Sequence, residues 1–294
     1  MTGPLRVPDS FRAMPRWWHE GEAWLDGLPA LVAVCCEQWQ LAIDGDPWHG
    51  SNALVVPVTR QGVAFALRLN PPVPDVVATE RALRFWQGHG VVDLIETELA
   101  RGALLLQRLD GSRTLGHEPL AEAMPILGAL GRRLAIPAPD DVRSTNEIVR
   151  AECEAMPAAW ERLGRPFSRA TLDAVLALAP TLLTDSTLAV NGDLHGAQVL
   201  REPEGDWVVV DPVLLRGDPA YDLARMLWTR LDEMADGDEI HHWLDVVADA
   251  AGIDRDHARN WVLFRTTSYW LWGLAHGLTE DPVRCGRLIG AIGA

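Results

Sequence analysis

Apolar positions recur at helical spacing through residues 29 to 43 (PALVAVCCEQWQLAI), and the DGDPWHGSN segment after them is turn chemistry throughout. Two β-rich runs follow, Ala53 to Val58 and Val63 to Leu69, with Thr59-Arg-Gln-Gly62 between them. That spacing predicts an antiparallel hairpin. Pro71, Pro72 and Pro74 end it, a helical pattern runs from Val76 to Gln87, and Gly88 and Gly90 stand where a C-cap is expected. Strands are predicted again at 91 to 96 and 102 to 108. Beyond Gly111 the pattern is mainly helical, over 117 to 135, 146 to 163, 168 to 183, 219 to 233, 238 to 251, 256 to 277 and 282 to 292. One β island interrupts it, Leu188-Ala-Val-Asn191 and Trp207 to Asp211. The fold class read from this is α+β, a small antiparallel sheet with one helix over residues 1–109 and a mainly helical part over 110–294.

Composition narrows the choice of function. With 294 residues, 48% hydrophobic and 23% charged, the chain can bury a full core. A formal net charge of -15 argues against nucleic acid as a partner and suits a small cationic substrate, although acidity also simply keeps a protein soluble. The first residues hold no apolar leader, and no run approaches the roughly 18 apolar residues of a membrane span, so the cytoplasm is the expected location and a membrane is not an expected partner. Cys35, Cys36, Cys153 and Cys285 form no C-x-x-C pair and imply neither a disulfide framework nor a zinc site. All 26 basic residues are arginine. Any mechanism that needs a lysine amine is therefore excluded. Most of the 13 tryptophans fall in apolar helical settings and read as core rather than as an interaction surface.

The chemistry concentrates in Asn191-Gly-Asp-Leu-His-Gly-Ala-Gln-Val-Leu200, bracketed by the two strands of the β island. Read as a hairpin-like unit, it presents Asp193 and Asp211 beside each other, with the Gln198 amide oxygen close by. Two carboxylates and an amide oxygen fit metal-assisted phosphoryl transfer, in which one aspartate orients a hydroxyl and accepts its proton while the other groups hold Mg²⁺. An Asp at a strand end before Gly or Pro is otherwise a common turn. The three residues together are more specific than any one.

This loop closely resembles the H-G-D-L-H-x-x-N-V-L motif of aminoglycoside phosphotransferases and their choline-kinase-like relatives. Val210 through Trp228, with Gly217-Asp-Pro-Ala-Tyr-Asp-Leu-Ala224, is similar to the streptomycin and hydroxyurea phosphotransferase branch, as are Gly102 to Leu109 and Tyr269 to Asp281. The resemblance spans about residues 29 to 290. It implies a protein-kinase-like two-lobed fold and a small-molecule kinase that moves the γ-phosphate of ATP or GTP, with Mg²⁺, to a hydroxyl of an aminoglycoside-like or amino-sugar substrate, in the manner of antibiotic resistance. Asp193 is then the base, Gln198 and Asp211 the metal ligands, and Asp222 a buried carboxylate bracing the loop. The nucleotide would meet Ser51 and Asn52 of the Gly50-Ser51-Asn52 turn, Arg68 with Glu80 as its ion-pair partner, and the backbone from Gln107 to Leu109. Asn191 and His195 would support and shape the loop. Asp218, Trp270, Trp272, Glu280 and Asp281 would line the acceptor site, the tryptophans being equally readable as helix packing and Glu280-Asp281 as a solvated helix start.

Three positions depart from the pattern. Arg68 stands for lysine, Asn191 for the loop histidine and Gln198 for the metal-binding asparagine. Arginine is planar and forked where lysine is a point charge. Glutamine adds a methylene that moves its oxygen by about 1 Å, and misplacement on that scale costs roughly 100-fold in rate. These changes leave open a second reading, a pseudokinase that binds nucleotide or a small ligand without turnover.

Overall fold

The structure, a computed structural model, describes residues 5–14, 21–50, 52–71, 74–203 and 205–293. It divides into two compact units, Met1–Asp110 and Gly111–Ala294.

In the first unit two helices, α1 (Asp9–Arg12) and α2 (Glu22–Trp39), precede a six-stranded antiparallel sheet. Its strands are β1 (Ala42–Ile43), β2 (Trp48–His49), β3 (Leu54–Arg60) and β4 (Val63–Leu69), then, after α3 (Pro74–Trp86), β5 (Leu94–Glu98) and β6 (Ala103–Gln107). The order is β1-β3-β4-β6-β5, with β2 also on β3. The predicted hairpin is β3 and β4. Its Gln61-Gly62 turn has φ of 53° and 80° at its central residues, the two positive values that let a two-residue loop follow the strand twist. Strand alternation then builds the core. Leu54, Val56, Val58, Leu67, Leu69, Ala103 and Leu105 share a cluster with Leu25, Leu28, Val32, Cys35 and Trp39 of α2. Each side chain of this kind contributes about 1.5–3 kcal/mol when fully buried. Arg68, between Leu67 and Leu69, points to the opposite face, with Val55 and Leu104 beside it in register.

The second unit carries α4 (Leu120–Leu134), α5 (Thr145–Arg162) and α6 (Arg169–Leu178). Four three-residue strands follow, β7 (Leu188–Val190), β8 (Val199–Arg201), β9 (Trp207–Val209) and β10 (Leu215–Gly217). Then come α7 (Leu223–Trp228), α8 (Gly237–Ala251), α9 (Arg255–Ala275) and α10 (Glu280–Ile292). Its core is helical, with Leu127, Leu130, Leu244, Val247, Trp261, Phe264 and Leu288 all nearly inaccessible. Side-chain oxygens start the helices: Ser144 and Glu147 form a reciprocal capping box on α5, and Asp254 caps α9.

The hairpin-like unit expected around the loop does not form. β7 pairs antiparallel with β10, and β8 pairs with β9. The island is two small ribbons, because a three-residue strand carries too little alternation to choose its partner and the closing contacts do so instead.

Candidate active site

Residues 191 to 198 leave β7 as a tight loop ending in the 3-10 turn Gly196–Gln198. Gly192 has φ of 74°, and a Cβ there would stand 2.9 Å from Leu215, so both conformation and space demand glycine. Gly196 meets a different limit. A Cβ on it would lie 2.9 Å from the backbone nitrogen of Gly116, so the loop is seated backbone to backbone.

Two hydrogen bonds bring the second half of the motif onto the first. Val210 N donates to Gln198 O at 3.0 Å, and Val213 N donates to Asn191 Oδ1 at 2.8 Å. Asp211 is thereby held beside Gln198, as the spacing implied, through pairing different from the expected one. Asn191 is 1% exposed, and its own N–H donates to Asp222 Oδ2 at 3.1 Å. Asp222 therefore grips the loop at its first residue.

Asp193 is engaged at both oxygens. Gln198 Nε2 donates to Oδ2 at 2.9 Å, while Arg225 Nε lies 2.7 Å from Oδ1. His195 Nε2 is 3.9 Å from Oδ2. Burial and then the Arg225 charge push the His195 pKa down to about 4 against the pull of Asp193 and Asp211, so it is a neutral ring near pH 7. Gln198 Oε1 is buried without a hydrogen-bond partner among the described residues. A carbonyl oxygen left in that state, on the side chain that bonds Asp193, suits a hard cation. Among the described residues no three His, Cys, Asp or Glu side chains form a metal cage. Magnesium does not require one, since it is commonly held by one or two carboxylates together with substrate phosphates.

Behind the loop, Asp222 is fully buried and its pKa is raised to about 6 by that burial, with Arg265 and the backbone N–H groups of Leu194 and Asn191 pulling downward. Arg265 stands 3.6 Å from Asp222 Oδ1, donates to the carbonyls of Gly192 at 2.6 Å and Tyr221 at 2.8 Å, and lies 3.7 Å over the Tyr221 ring. One guanidinium thus ties α9 to both halves of the motif. Sequence reading did not single out Arg265 or Arg225. The signal for Arg265 was its place as the one charge in Trp261-Val-Leu-Phe-Arg-Thr-Thr-Ser-Tyr-Trp-Leu-Trp272, where a buried cation needs a partner.

The acceptor candidates divide. Asp218 is withdrawn from substrate binding, because its carboxylate is saturated. His257 Nε2 meets Oδ2 at 2.6 Å, Trp261 Nε1 donates to Oδ2 at 2.9 Å, and Ala220 N donates to Oδ1 at 3.0 Å. Trp270 packs on Phe167 and against Gly286, which makes it a packing residue. Glu280 is a solvated first-turn carboxylate, 3.5 Å from Arg284. Trp272 is different: 49% exposed, it stacks at 5.4 Å on Tyr269, which stacks at 4.4 Å on Trp228. Asp281 accepts from the Tyr269 hydroxyl at 2.6 Å and pairs with Arg284 at 3.0 Å. The structure therefore brings Tyr269, Trp272 and Asp281 into one wall that leads to Arg225 and Asp193.

The His257–Asp218 pair gives the brace a pH dependence. Burial pushes the Asp218 carboxyl up, but the bonds from His257, Ala220 and Trp261 outweigh it and leave it below the usual value, whereas the bond to Asp218 raises His257. A raised histidine contributes stability that is complete below its unfolded pKa and lost as pH rises through the folded one. A lowered aspartate contributes above its unfolded pKa and loses that as pH falls. Urea-unfolding midpoints should therefore decline as pH rises above about 6.5, and His257→Gln should flatten that limb; an unchanged slope would show that the pair does not set the pH dependence.

In the first unit, Arg68 Nε donates to Asn70 Oδ1 at 2.9 Å and Asn70 Nδ2 donates to Asn52 O at 3.1 Å. Buried Asn70, not foreseen, links two of the nucleotide candidates. Glu80 pairs with Arg84 one turn along α3 rather than with Arg68, since residues four apart share a helix face. Gln107 has its N–H bonded to Asp93 O, and Leu109 is buried. Ser51 lies outside the described residues.

Comparison with known proteins identifies the family and the fold. The chain is 37% identical to streptomycin 6-kinase of Streptomyces griseus, covering 89% of this chain and 88% of that protein, and 33% identical to hydroxyurea phosphotransferase of Kitasatospora aureofaciens, covering 90% and 78%. Its fold matches the crystal structure of aminoglycoside phosphotransferase APH(4)-Ia with a TM-score of 0.65 at 14% identity, over 90% of this chain and 98% of that one. Choline kinase LicA from Streptococcus pneumoniae matches with a TM-score of 0.61 at 13% identity, over 90% and 99%. Both likenesses identify the protein-kinase-like fold. The model of one family, aminoglycoside/hydroxyurea antibiotic resistance kinase, matches residues 38–277, and the chain belongs to that family.

Proposed function

We propose that this chain transfers the γ-phosphoryl group of ATP to a hydroxyl of a small cationic, aminoglycoside-like acceptor, with Asp193 as the proton acceptor. The observation that carries the reading is Asp193 with the unpartnered buried oxygen of Gln198 on one loop held by Asp222, to which the Val210 N–Gln198 O bond draws the segment that bears Asp211.

Asp193 receives the acceptor hydroxyl against its carboxylate, and the proton passes to that carboxylate as the acceptor oxygen bonds to phosphorus and the bond to the leaving diphosphate breaks. Gln198 Oε1 and the Asp211 carboxylate are the groups that would hold Mg²⁺, whose charge when bound offsets that on the β- and γ-phosphate oxygens. Gln198 serves twice on this reading, since its Nε2 orients Asp193 while its Oε1 faces the cation. The glutamine that stands for asparagine ends the 3-10 turn and reaches Asp193 through Nε2. Arg68, held by Asn70, supplies positive charge to the phosphates where the pattern has lysine. Trp272, 49% exposed and backed by Tyr269 and Asp281, would meet the acceptor, in a chain whose net charge of -15 favours cations.

No observation favours binding without turnover, and the curated relatives named above are a kinase and a phosphotransferase. With ATP, Mg²⁺ and streptomycin, ADP release should depend on the acceptor, and ³¹P NMR should show a new phosphate monoester on it. Nucleotide binding with no acceptor-dependent ADP across a panel of aminoglycosides and hydroxyurea would sink the proposal.

A further inference from the structure

We propose that Arg225 is a positioning residue for phosphoryl transfer, fixing the plane of the Asp193 carboxylate while an aromatic stack fixes Arg225. The inference rests on Asp193 as proton acceptor and goes beyond it.

A carboxylate turns freely about its last torsion unless its neighbours prevent it. Asp193 is partly exposed, and the Gln198 bond at Oδ2 alone would leave Oδ1 free to swing. Arg225 removes that freedom. Its Nε stands 2.7 Å from Oδ1, yet Nε has no aligned hydrogen-bond acceptor among the described residues. The contact is one of charge, so Oδ1 keeps a lone-pair direction for an incoming hydroxyl.

Arg225 is itself confined. It projects from α7 one turn after Asp222, with a side chain 20% exposed. Its guanidinium carbon lies 5.6 Å from the centre of the Trp228 ring and 5.7 Å from that of Tyr269. Those rings stack with only 9° between their planes, and Trp228 is 1% exposed. Tyr269 is anchored in turn through its hydroxyl to Asp281, and Asp281 through Arg284 to Asp232. The base is therefore referred through four side chains to α10 and the turn before α8. In a loose transition state positioning outweighs basicity, so a cation beside the base is tolerated and preserves geometry whose loss on a 1 Å scale is worth about 100-fold. The opposite role is a brake, a cation that locks Asp193 away from substrate. The two differ in sign.

The test is a double-mutant cycle with nucleotide binding measured beside turnover. Arg225→Ala should lower kcat by about 30- to 100-fold and leave nucleotide KM within about threefold. Ethylguanidinium in solution should restore about tenfold of the Arg225→Ala rate and none of the Asp193→Asn rate, an effect that a purely structural role would not give. In an Asp193→Asn background, Arg225→Ala should add less than about threefold. Arg225→Gln keeps most of the packing and replaces the alanine variant if that one does not fold. A kcat within threefold of the parent in either variant, a rise in kcat, or losses that multiply in the double mutant would each overturn the proposal. An active Asp193→Asn enzyme with an impaired Arg225→Ala enzyme would fault the role given to Asp193 instead.

Discussion

Asp193→Asn should lower kcat by about 10³-fold while nucleotide affinity, measured by calorimetry, stays within about threefold. The carboxylate is the only anionic oxygen pair on the loop with both a donor and a cation already arranged around it, Gln198 Nε2 on one oxygen and Arg225 on the other. Asparagine preserves the shape but can offer its single carbonyl oxygen to only one of them, and it cannot take a proton from a hydroxyl. Retention of more than a tenth of the parent rate would move the base elsewhere, and a melting temperature close to the parent's would confirm that chemistry rather than folding was changed.

Arg265→Ala should give the second large effect, a loss of about 3–5 kcal/mol of stability, because it leaves a buried carboxylate without its counter-charge. Asp222 is held at about 6, and burial is the main cause. A carboxyl raised in the folded state costs stability as pH climbs through that value, and losing Arg265 raises it further. The loss in chemical denaturation should therefore be greater at about pH 8 than at about pH 5.5. Asp222→Asn in the same chain should recover part of it at the higher pH. A pH-independent loss, or one under about 1 kcal/mol, would show that the Arg265 contacts to Gly192 O and Tyr221 O matter and its pairing with Asp222 does not.

These two residues also mark the limit of what can be read from the chain. Asp193, Gln198, Asp211 and Asp222 sit in short local patterns that carry the family resemblance, and the larger helices announce themselves by apolar period and by caps such as Ser144 and Asp254. The β3–β4 hairpin is equally local, because the Gln61-Gly62 turn fixes its register. What was misread is non-local. β7 finds its partner 25 or more residues on, Arg265 reaches back 73 residues to Gly192, and His257 reaches 39 to Asp218. Such contacts depend on where whole helices settle. Asp218 looked available to a substrate because its partners on α9 lay outside any local window. Glu80 is the local exception, given to Arg68 by the resemblance and taken by Arg84 one turn along the same helix.

The seat of the loop has a consequence for how this sequence can drift. Where two side chains touch, one can shrink as the other grows, and related proteins record such exchanges as correlated changes. Gly196 faces the main chain at Gly116, and there is nothing opposite it to trim. No single companion substitution can make room for even a methyl group, so position 196 is closed to compensated change. Variation in this enzyme is therefore channelled to positions where side chain meets side chain, such as half-exposed Trp272, stacked on Tyr269 and His276.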